Sequence, residues 1–383
     1  MADSDRHKLR ILHVINDLSV ASGAEGMLVR LTAKMLEHDV KSRVVSLGGM
    51  GTLGQKAITA GVDVTALGIK SFFDLPVGMF KLSAEIKKYN PHIIQTWLYH
   101  SDILGLMANW ISGNRPLVWN LRCSNIDLYE ENRRTAFLLK VLAPLSPFPN
   151  LVLANSDAAL AYHHSVGFKP KAQKVIANGF CGDHFRPSEH RRQSLRAEWG
   201  VTENNVLIGM IARVAAMKDH DIFLDAAISI SAEMPNIKFL LVGKGTEPNM
   251  PLAQSQKALA LKGKILWLGQ RSDIQDIMGA LDIATLTSKC GESFPNVLAE
   301  AMLCGTPCVT TDVGAAAVII GDTGLVIPSG QPACLMKAWW AMAKLSAGSR
   351  QSLGASARMR ILEHFSLDEI AQQYADTYRQ MLG

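Results

Sequence analysis

The chain is poor in the groups that staple or metallate a small protein. Its six cysteines, at 123, 181, 290, 304, 308 and 334 of 383 residues, include no Cys-x-x-Cys pair, and Cys304 and Cys308 have no histidines at metal-site spacing. This excludes a disulfide framework and a zinc ribbon as readings and leaves reduced, packed thiols. A long apolar opening run is also missing. Met1 to Arg10 is polar and charged, and the apolar stretch Ile11 to Ile15 stops at Asn16-Asp17. A membrane span needs about 20 apolar residues, so neither a signal peptide nor a spanning helix is expected there, and the reading is a cytoplasmic enzyme. There is no arginine-rich tract and no aromatic stripe interleaved with basic residues, so nucleic acid is not an expected partner. No Asp-x-Asp stands at a strand end, and the loop after the first apolar run is not Gly-x-Gly-x-x-Gly. Metal-held and dinucleotide chemistry are therefore not signalled at those places.

What is present suffices for two cores. Hydrophobic residues make up 48% of the chain, and the length favours two domains over one. The net charge of +5 is unevenly placed. Residues 1–185 hold 20 Lys+Arg against 15 Asp+Glu, and the rest of the chain holds 19 of each. A basic first half can attract anionic lipid or a pyrophosphate-bearing acceptor; a solvated surface is the equal alternative.

Short apolar runs alternate with amphipathic stretches throughout. In the first half strands are expected at 9–15, 43–47, 62–67, 92–97, 117–121, 151–154 and 174–177, with helices over 25–36, 75–88 and 101–111 between them. The pattern restarts with strands at 206–211, 238–242, 264–268, 283–286, 307–310 and 324–327, and helices over 219–232 and 296–304. Alternation of this kind gives parallel, doubly wound sheets. The turn-rich stretch from Asn178-Gly179-Phe180 to Phe185-Arg186-Pro187 reads as the linker. The domains are thus 1–185 and 186–365, with a last amphipathic helix of about 366–383 completing the first. Ligands of such sheets bind at the carboxyl ends of the strands.

The chemistry-bearing residues cluster at those strand ends. Ser22-Gly23-Ala24-Glu25 opens a helix after the first strand, where free amides and the helix dipole suit an anion. Ala212-Arg213 and, five residues on, Lys218 follow the first strand of the second half; two cations there suit a diphosphate, although a solvated loop reads the same way. Gly243-Lys244-Gly245 and Gly269-Gln270-Arg271, with Asp273 beyond, follow the next two strands. The richest segment runs from Ser288 to Pro307 and holds Glu292, Phe294-Pro295-Asn296-Val297 and Glu300. Its two carboxylates, seven residues apart, suit vicinal sugar hydroxyls, and the helix start between them suits phosphate.

At this segment the chain resembles the retaining glycosyltransferases of family 4 (group 1), of bacterial polysaccharide and glycolipid type, whose hallmark is Glu, seven residues, Glu within G-E-x-F-P-N-V-x-x-E-A-M-x-x-G-x-P. The resemblance extends through Thr311-Asp312-Val313-Gly314, Gly321-Asp322-Thr323-Gly324, Arg213…Lys218-Asp219-His220, Gly243-Lys244-Gly245, Asn178-Gly179 and Ser22 to Glu25. It implies the GT-B fold, two Rossmann-like domains facing a central cleft, the first for the acceptor and the second for the donor. It implies a hexosyltransferase that is retaining, metal-independent and free of cofactors, with a nucleotide-sugar donor, UDP-sugar first among them, as co-substrate. The acceptor is a saccharide or a lipid-linked one, in surface polysaccharide or glycolipid synthesis.

Carried over position by position, Glu292 holds the donor sugar, and Glu300 the ribose. Arg213 and Lys218 neutralise the diphosphate, and Gly23 brings amides to it. Phe294, Pro295, Asn296 and Val297 line the donor, and the base sits near Gly243, Gln270 and Arg271. His100 stands beside the transferred sugar. The family's glycines are replaced here by Ser22, Ala212 and Asp219, and Cys181 stands where aspartate is usual.

For the acceptor, Arg122 leaves a strand toward the ligand side and suits a phosphate or carboxylate. The run from Arg133-Arg134 to Leu142 reads either as a helix lying on the inner face of a membrane or as an ordinary core-facing helix. A nucleotide-sugar epimerase of the same architecture, a sugar phosphorylase and a non-catalytic nucleotide-sugar binder remain the competing functions.

Overall fold

The computed structural model describes residues 8–19, 23–71, 74–124 and 133–383, the side chains of Arg133 and Arg134 excepted. The chain divides into two compact units, Met1–Gly179 with Leu367–Gly383, and Phe180–Ser366. The junction therefore falls at Gly179/Phe180, inside the stretch read as the linker and six residues before the boundary expected at 185/186. The physical reason is that Phe180 belongs to the second core. Its N–H donates to the Phe365 carbonyl at 2.9 Å and its ring stacks on Phe294, centroids 6.1 Å apart.

The first unit is built on seven strands: β1 (Leu9–Ile15), β2 (Val40–Ser46), β3 (Asp63–Ala66), β4 (Ile93–Trp97), β5 (Leu117–Leu121), β6 (Leu151–Ala154) and β7 (Gln173–Val175). Their order in the sheet is β3-β2-β1-β4-β5-β6-β7, and every pair is parallel. β4, β5 and β6 are buried along their whole length, the pattern of a sheet covered on both faces. One apolar cluster, including Ile11, Trp97 and Tyr374, lies on one side, and a second, including Leu12, Trp119 and Phe168, on the other.

The C-terminal helix Leu367–Leu382 completes the first cluster. It buries Ile370, Ala371, Tyr374, Ala375 and Tyr378, a stripe at helical spacing. Its polar tips are satisfied as well: the Tyr378 hydroxyl donates to Gln95 Oε1 at 2.7 Å, and the Tyr374 oxygen accepts from Arg122 Nη2 at 2.7 Å and Asn120 Nδ2 at 3.2 Å.

The second unit has six parallel strands, β8 (Val206–Ile211), β9 (Ile237–Val242), β10 (Ile265–Trp267), β11 (Ile283–Leu286), β12 (Cys308–Thr311) and β13 (Leu325–Ile327), in the order β10-β9-β8-β11-β12-β13. One side is filled by Phe223, Phe239 and Trp339, whose rings meet at 4.9–5.9 Å. In each sheet the strand order reverses once, between β1 and β4 in the first and between β8 and β11 in the second. Loops leaving such a pair of strands part to opposite faces and leave a crevice at the carboxyl edge.

Candidate functional site

In the second unit the crevice lies between the loop 212–219 after β8 and the loop 287–295 after β11. Lys218 ends a short turn of 3-10 helix, Ala216–Lys218. Its ammonium forms an ion pair with Glu292 Oε1, and the same oxygen accepts from Ser288 Oγ at 2.7 Å. Glu292 is buried. A buried carboxylate is stable only when paired and hydrogen-bonded, and both conditions are met here.

The two loops are also tied by backbone groups. Thr287 Oγ1 donates to the Lys218 and Asp219 carbonyls at 2.8 and 3.0 Å, and the Lys289 N–H donates to the Met217 carbonyl at 2.8 Å. Thr311, at the end of β12, donates to the Ser288 carbonyl at 2.6 Å. Behind Glu292 lies Gly314, with φ +63; a Cβ there would run into the Glu292 carbonyl. Only glycine lets the turn after β12 approach so closely.

Asp219 occupies a family glycine position and adopts φ 50. Aspartate tolerates this left-handed conformation better than most residues, which explains how the departure is accommodated. The adjacent His220 is buried, and burial pushes its pKa down to about 4, so the ring is neutral. Arg213 is exposed, with Met217 Sδ 4.0 Å from Nη2, and it forms no ion pair among the described residues. Its guanidinium is available to an incoming anion.

Phe294 is buried in an aromatic group with Phe180 and Phe365, centroids 6.1 and 5.6 Å away. That packing fixes the segment leading into the helix Asn296–Leu303. Pro295 is the N-cap, and no side chain caps this helix start. Val297 and Glu300, in the first and second turns, are partly exposed. Gly243, φ +136, lies against Ala212 and the Arg213 nitrogen, and its N–H donates to the Gly269 carbonyl at 2.8 Å. The loops after β8, β9 and β10 are thereby joined along one edge. Gln270 is exposed beside them, and Arg271 makes a two-pronged pair with Asp273 at 2.8 and 2.7 Å.

In the first unit, Gly23 opens the helix Gly23–Met35 and is exposed; Ser22 lies outside the described residues. The described residues that follow β1 are pinned. Asp17 Oδ1 accepts from the N–H groups of Ser19 and Gly49 at 2.8 and 3.0 Å. The sequence Gly49-Met50-Gly51-Thr52-Leu53-Gly54, with the spacing of a dinucleotide fingerprint, follows β2 here. Cβ atoms on its glycines would strike Ser19 or, at Gly54, Met50, so the space is filled by the chain itself.

His100 lies at the start of the helix Tyr99–Ser112, its Nδ1 3.4 Å from Asn16 Nδ2. Asn16 Oδ1 accepts from Ser101 N–H and Oγ at 3.0 and 2.7 Å. Leu98 before it has φ 74, a conformation that costs a branched residue about 1–3 kcal/mol and tends to mark functional turns. Burial lowers the pKa of His100, which favours the neutral ring.

The structure corrects the reading of Arg122. Its side chain is buried, lies 4.3 Å from the Trp97 ring, and bonds Asn178 and Tyr374. The guanidinium clamps the C-terminal helix to the first sheet instead of facing a ligand.

Ser288, Thr287, Thr311 and Gly314 support the site. Thr287 was not singled out in the sequence, and the other three stood there only as members of matched segments, with no role assigned. Among the described residues there is no group of three or more His, Cys, Asp and Glu side chains that could hold a metal ion.

Two family models match the chain: "Glycosyltransferase Family 4" over residues 21–181 and "Glycosyl transferases group 1" over residues 205–344. A D-inositol 3-phosphate glycosyltransferase of Rhodococcus erythropolis is 28% identical over 240 residues, 60% of this chain and 53% of that protein. An N-acetyl-alpha-D-glucosaminyl L-malate synthase of Bacillus anthracis is 30% identical over 190 residues, 49% of each. The chain thus spans about half the length of the curated relatives it matches. Among solved structures, Anabaena Alr3699/HepE in complex with UDP superposes with a TM-score of 0.82 at 25% identity, covering 97% of this chain and 100% of that one. WaaG, a glycosyltransferase involved in lipopolysaccharide biosynthesis, gives 0.72 at 15%, over 96% and 99%, and supports the fold alone.

Proposed function

We propose a reaction that starts from kinship: this chain belongs to the glycosyltransferases of family 4, group 1. The chain moves a sugar from a nucleoside diphosphate sugar to a saccharide or lipid-linked acceptor, with the product serving surface polysaccharide or glycolipid assembly. The observation that carries the reading is the convergence of Lys218 and Ser288 on one oxygen of Glu292 at the switch point of the second sheet. Such a site offers a carboxylate to sugar hydroxyls and, a few residues away, cations to a departing diphosphate.

In this reading Glu292 binds the transferred sugar and Glu300 the ribose. Arg213 and Lys218 stabilise the charge that develops as the diphosphate leaves, a role that preorganised cations perform without reorganisation. Backbone groups of 294–297 line the donor, and the base rests by Gly243, Gln270 and Arg271. From the first unit we assign Gly23 and His100 to the same chemistry. Transfer proceeds with retention and without a metal ion: the acceptor attacks the face the diphosphate leaves, and a phosphate oxygen takes the acceptor's proton. HepE, whose solved complex holds UDP, favours a uridine nucleotide.

We further assign one surface of the first unit to the inner face of an anionic bilayer. Phe80, Met107, Trp110, Phe137 and Phe148 are exposed on or beside three successive helices, Leu75–Tyr89, Tyr99–Ser112 and Arg133–Leu145, and the Trp110 and Phe148 rings meet edge-on at 5.4 Å. Exposed Lys87, Lys88 and Lys140 on the same helices complement anionic headgroups. No described helix is long and apolar enough to cross a membrane.

A thermal-shift and hydrolysis screen of UDP-, GDP- and ADP-sugars tests the donor. The expected result is stabilisation and slow hydrolysis with a UDP-sugar; indifference to all three would remove the reading. Proton NMR of the fresh product decides the stereochemistry, an inverted anomeric coupling refuting retention. Co-sedimentation with liposomes decides the membrane surface. Binding to anionic vesicles that survives Trp110→Glu with Phe148→Glu, or no binding at all, would refute it.

A further inference from the structure

The second unit has another concavity, at the opposite edge of its sheet from Glu292. It is a cavity of about 670 Å³, within the range of small-molecule sites. Its walls are the start of the helix Glu189–Glu198, the turns that lead into β11 and β12, and the helix Ala347–His364. The turns are held tightly: a Cβ on Gly354 would run into the Gly305 carbonyl.

Three arginines line it: Arg192, Arg350 and Arg358. Arg192 shares Asp282 with Arg196, at 2.6 and 2.8 Å, so two cations meet one carboxylate. Burial alone would raise the pKa of Asp282, yet the two guanidinium groups hold it below the usual carboxylate value. Arg358 bonds the carbonyls of Phe185, Leu303 and Gly182, which leaves its full charge in place. Arg350 donates from Nη1 to the Ala343 carbonyl at 3.1 Å and to the Leu345 carbonyl, which leaves Nη2 for an incoming group. Among the lining residues three arginines stand against two carboxylates, Asp282 and Glu189. The wall is therefore cationic by one charge, which suits an anionic acceptor. None of the lining residues is aromatic, so there is no ring to stack a nucleobase. Glu189 and Gln351 offer polar groups suited to hydroxyls.

We propose that this cavity binds a small phosphorylated metabolite of the sugar-phosphate class, with the phosphate on Arg350. The occupant would sit where β11 begins and where the helix Asn296–Leu303 ends, the two elements that flank the Glu292 loop. The proposal stands independently of the donor reading.

Isothermal titration of the whole protein with glucose 6-phosphate, and separately with inorganic phosphate, tests it. Arg350→Gln and Ala355→Trp are the variants; residue 355 is exposed on the cavity wall, so the larger ring fills the space without entering the core. The expected result is saturable binding, weakened about tenfold or more by either change, while UDP binds all three proteins alike. Tighter binding of glucose 6-phosphate than of phosphate identifies the sugar as part of the ligand; equal binding narrows the ligand to the anion and refutes the sugar-phosphate assignment. Absence of saturable binding, or binding indifferent to both substitutions, overturns the proposal. Failure of UDP to bind the unmodified protein would count against the donor site and not against this one.

Discussion

Glu292 is the residue on which the chemistry turns, and its environment makes graded demands. Replacing Lys218 by Ala removes an ion-pair partner of Glu292 and a cation for the leaving group. Loss of such a preorganised group ordinarily costs about 100-fold or more in kcat, and Arg213→Ala should cost the same, since that side chain has no structural pairing to lose. Steady-state kinetics with a UDP-sugar checks both; full turnover by either variant refutes the leaving-group role. Ser288→Ala takes away one neutral donor to a carboxylate, an effect of about 1.5–3 kcal/mol for bonds to charged groups, and should fall mainly on donor KM if Glu292 holds the sugar in the ground state. Gly314→Ala is different in kind. It adds a methyl against the Glu292 carbonyl at φ +63, so activity and melting temperature should drop together. An active, fully stable Gly314→Ala protein would show that the turn after β12 does not support the site.

At the scale of elements, the helix Leu367–Leu382 should be indispensable to the first unit, because it fills one face of that unit's sheet with Tyr374 and Tyr378. Tyr374→Phe leaves Arg122 Nη2 and Asn120 Nδ2 without their acceptor, while Arg122 Nη1 keeps Asn178; unsatisfied buried donors cost about 1–3 kcal/mol, more when charged. Urea denaturation should show that loss, and an unchanged midpoint would contradict the clamp.

The strand pattern was largely legible in the sequence, for a physical reason. Runs such as 117–121 and 151–154 are buried on both sides, so their apolar character is continuous and their ends are marked by turns. β2 begins at Val40, three residues before its expected start, because Lys41 and Ser42 interrupt the apolar run while pairing with β1 keeps them in the sheet. The charged site residues were legible through one dense segment, 288–307. Arg122 misled because a cation at a strand end looks the same whether it faces a ligand or, as here, a tyrosine 252 positions away in sequence. Gly314 and Ser288 act through approaches between strand-end loops, and no local pattern records which loops are neighbours.

For the whole molecule, buried histidines set the response to acid. Burial lowers the pKa of His13 to about 3 and those of His163 and His220 to about 4, against about 6.5 in the unfolded chain. Below pH 6.5 the unfolded state takes up protons that the native state refuses. Stability from these groups is therefore fully present above that pH and is lost as pH falls toward 4, by about 1.4 kcal/mol per pH unit for each. Asp102 works in the opposite direction. Burial raises its pKa, so its protonated form favours the native state as pH falls. Denaturation midpoints should still decline between pH 6.5 and 5. A flat profile would contradict the neutral, buried assignment.

Because the second unit contains Arg213, Lys218, Glu292 and Glu300 in one continuous stretch, residues 180–366 expressed alone should melt cooperatively and retain UDP binding. The most direct measurement is a crystal structure of the whole chain soaked with a UDP-sugar. The diphosphate should lie against Arg213 and Lys218, with the sugar on Glu292 and the ribose on Glu300. Nucleotide found elsewhere, with the Lys218–Glu292 pair undisturbed and bare, would contradict the account.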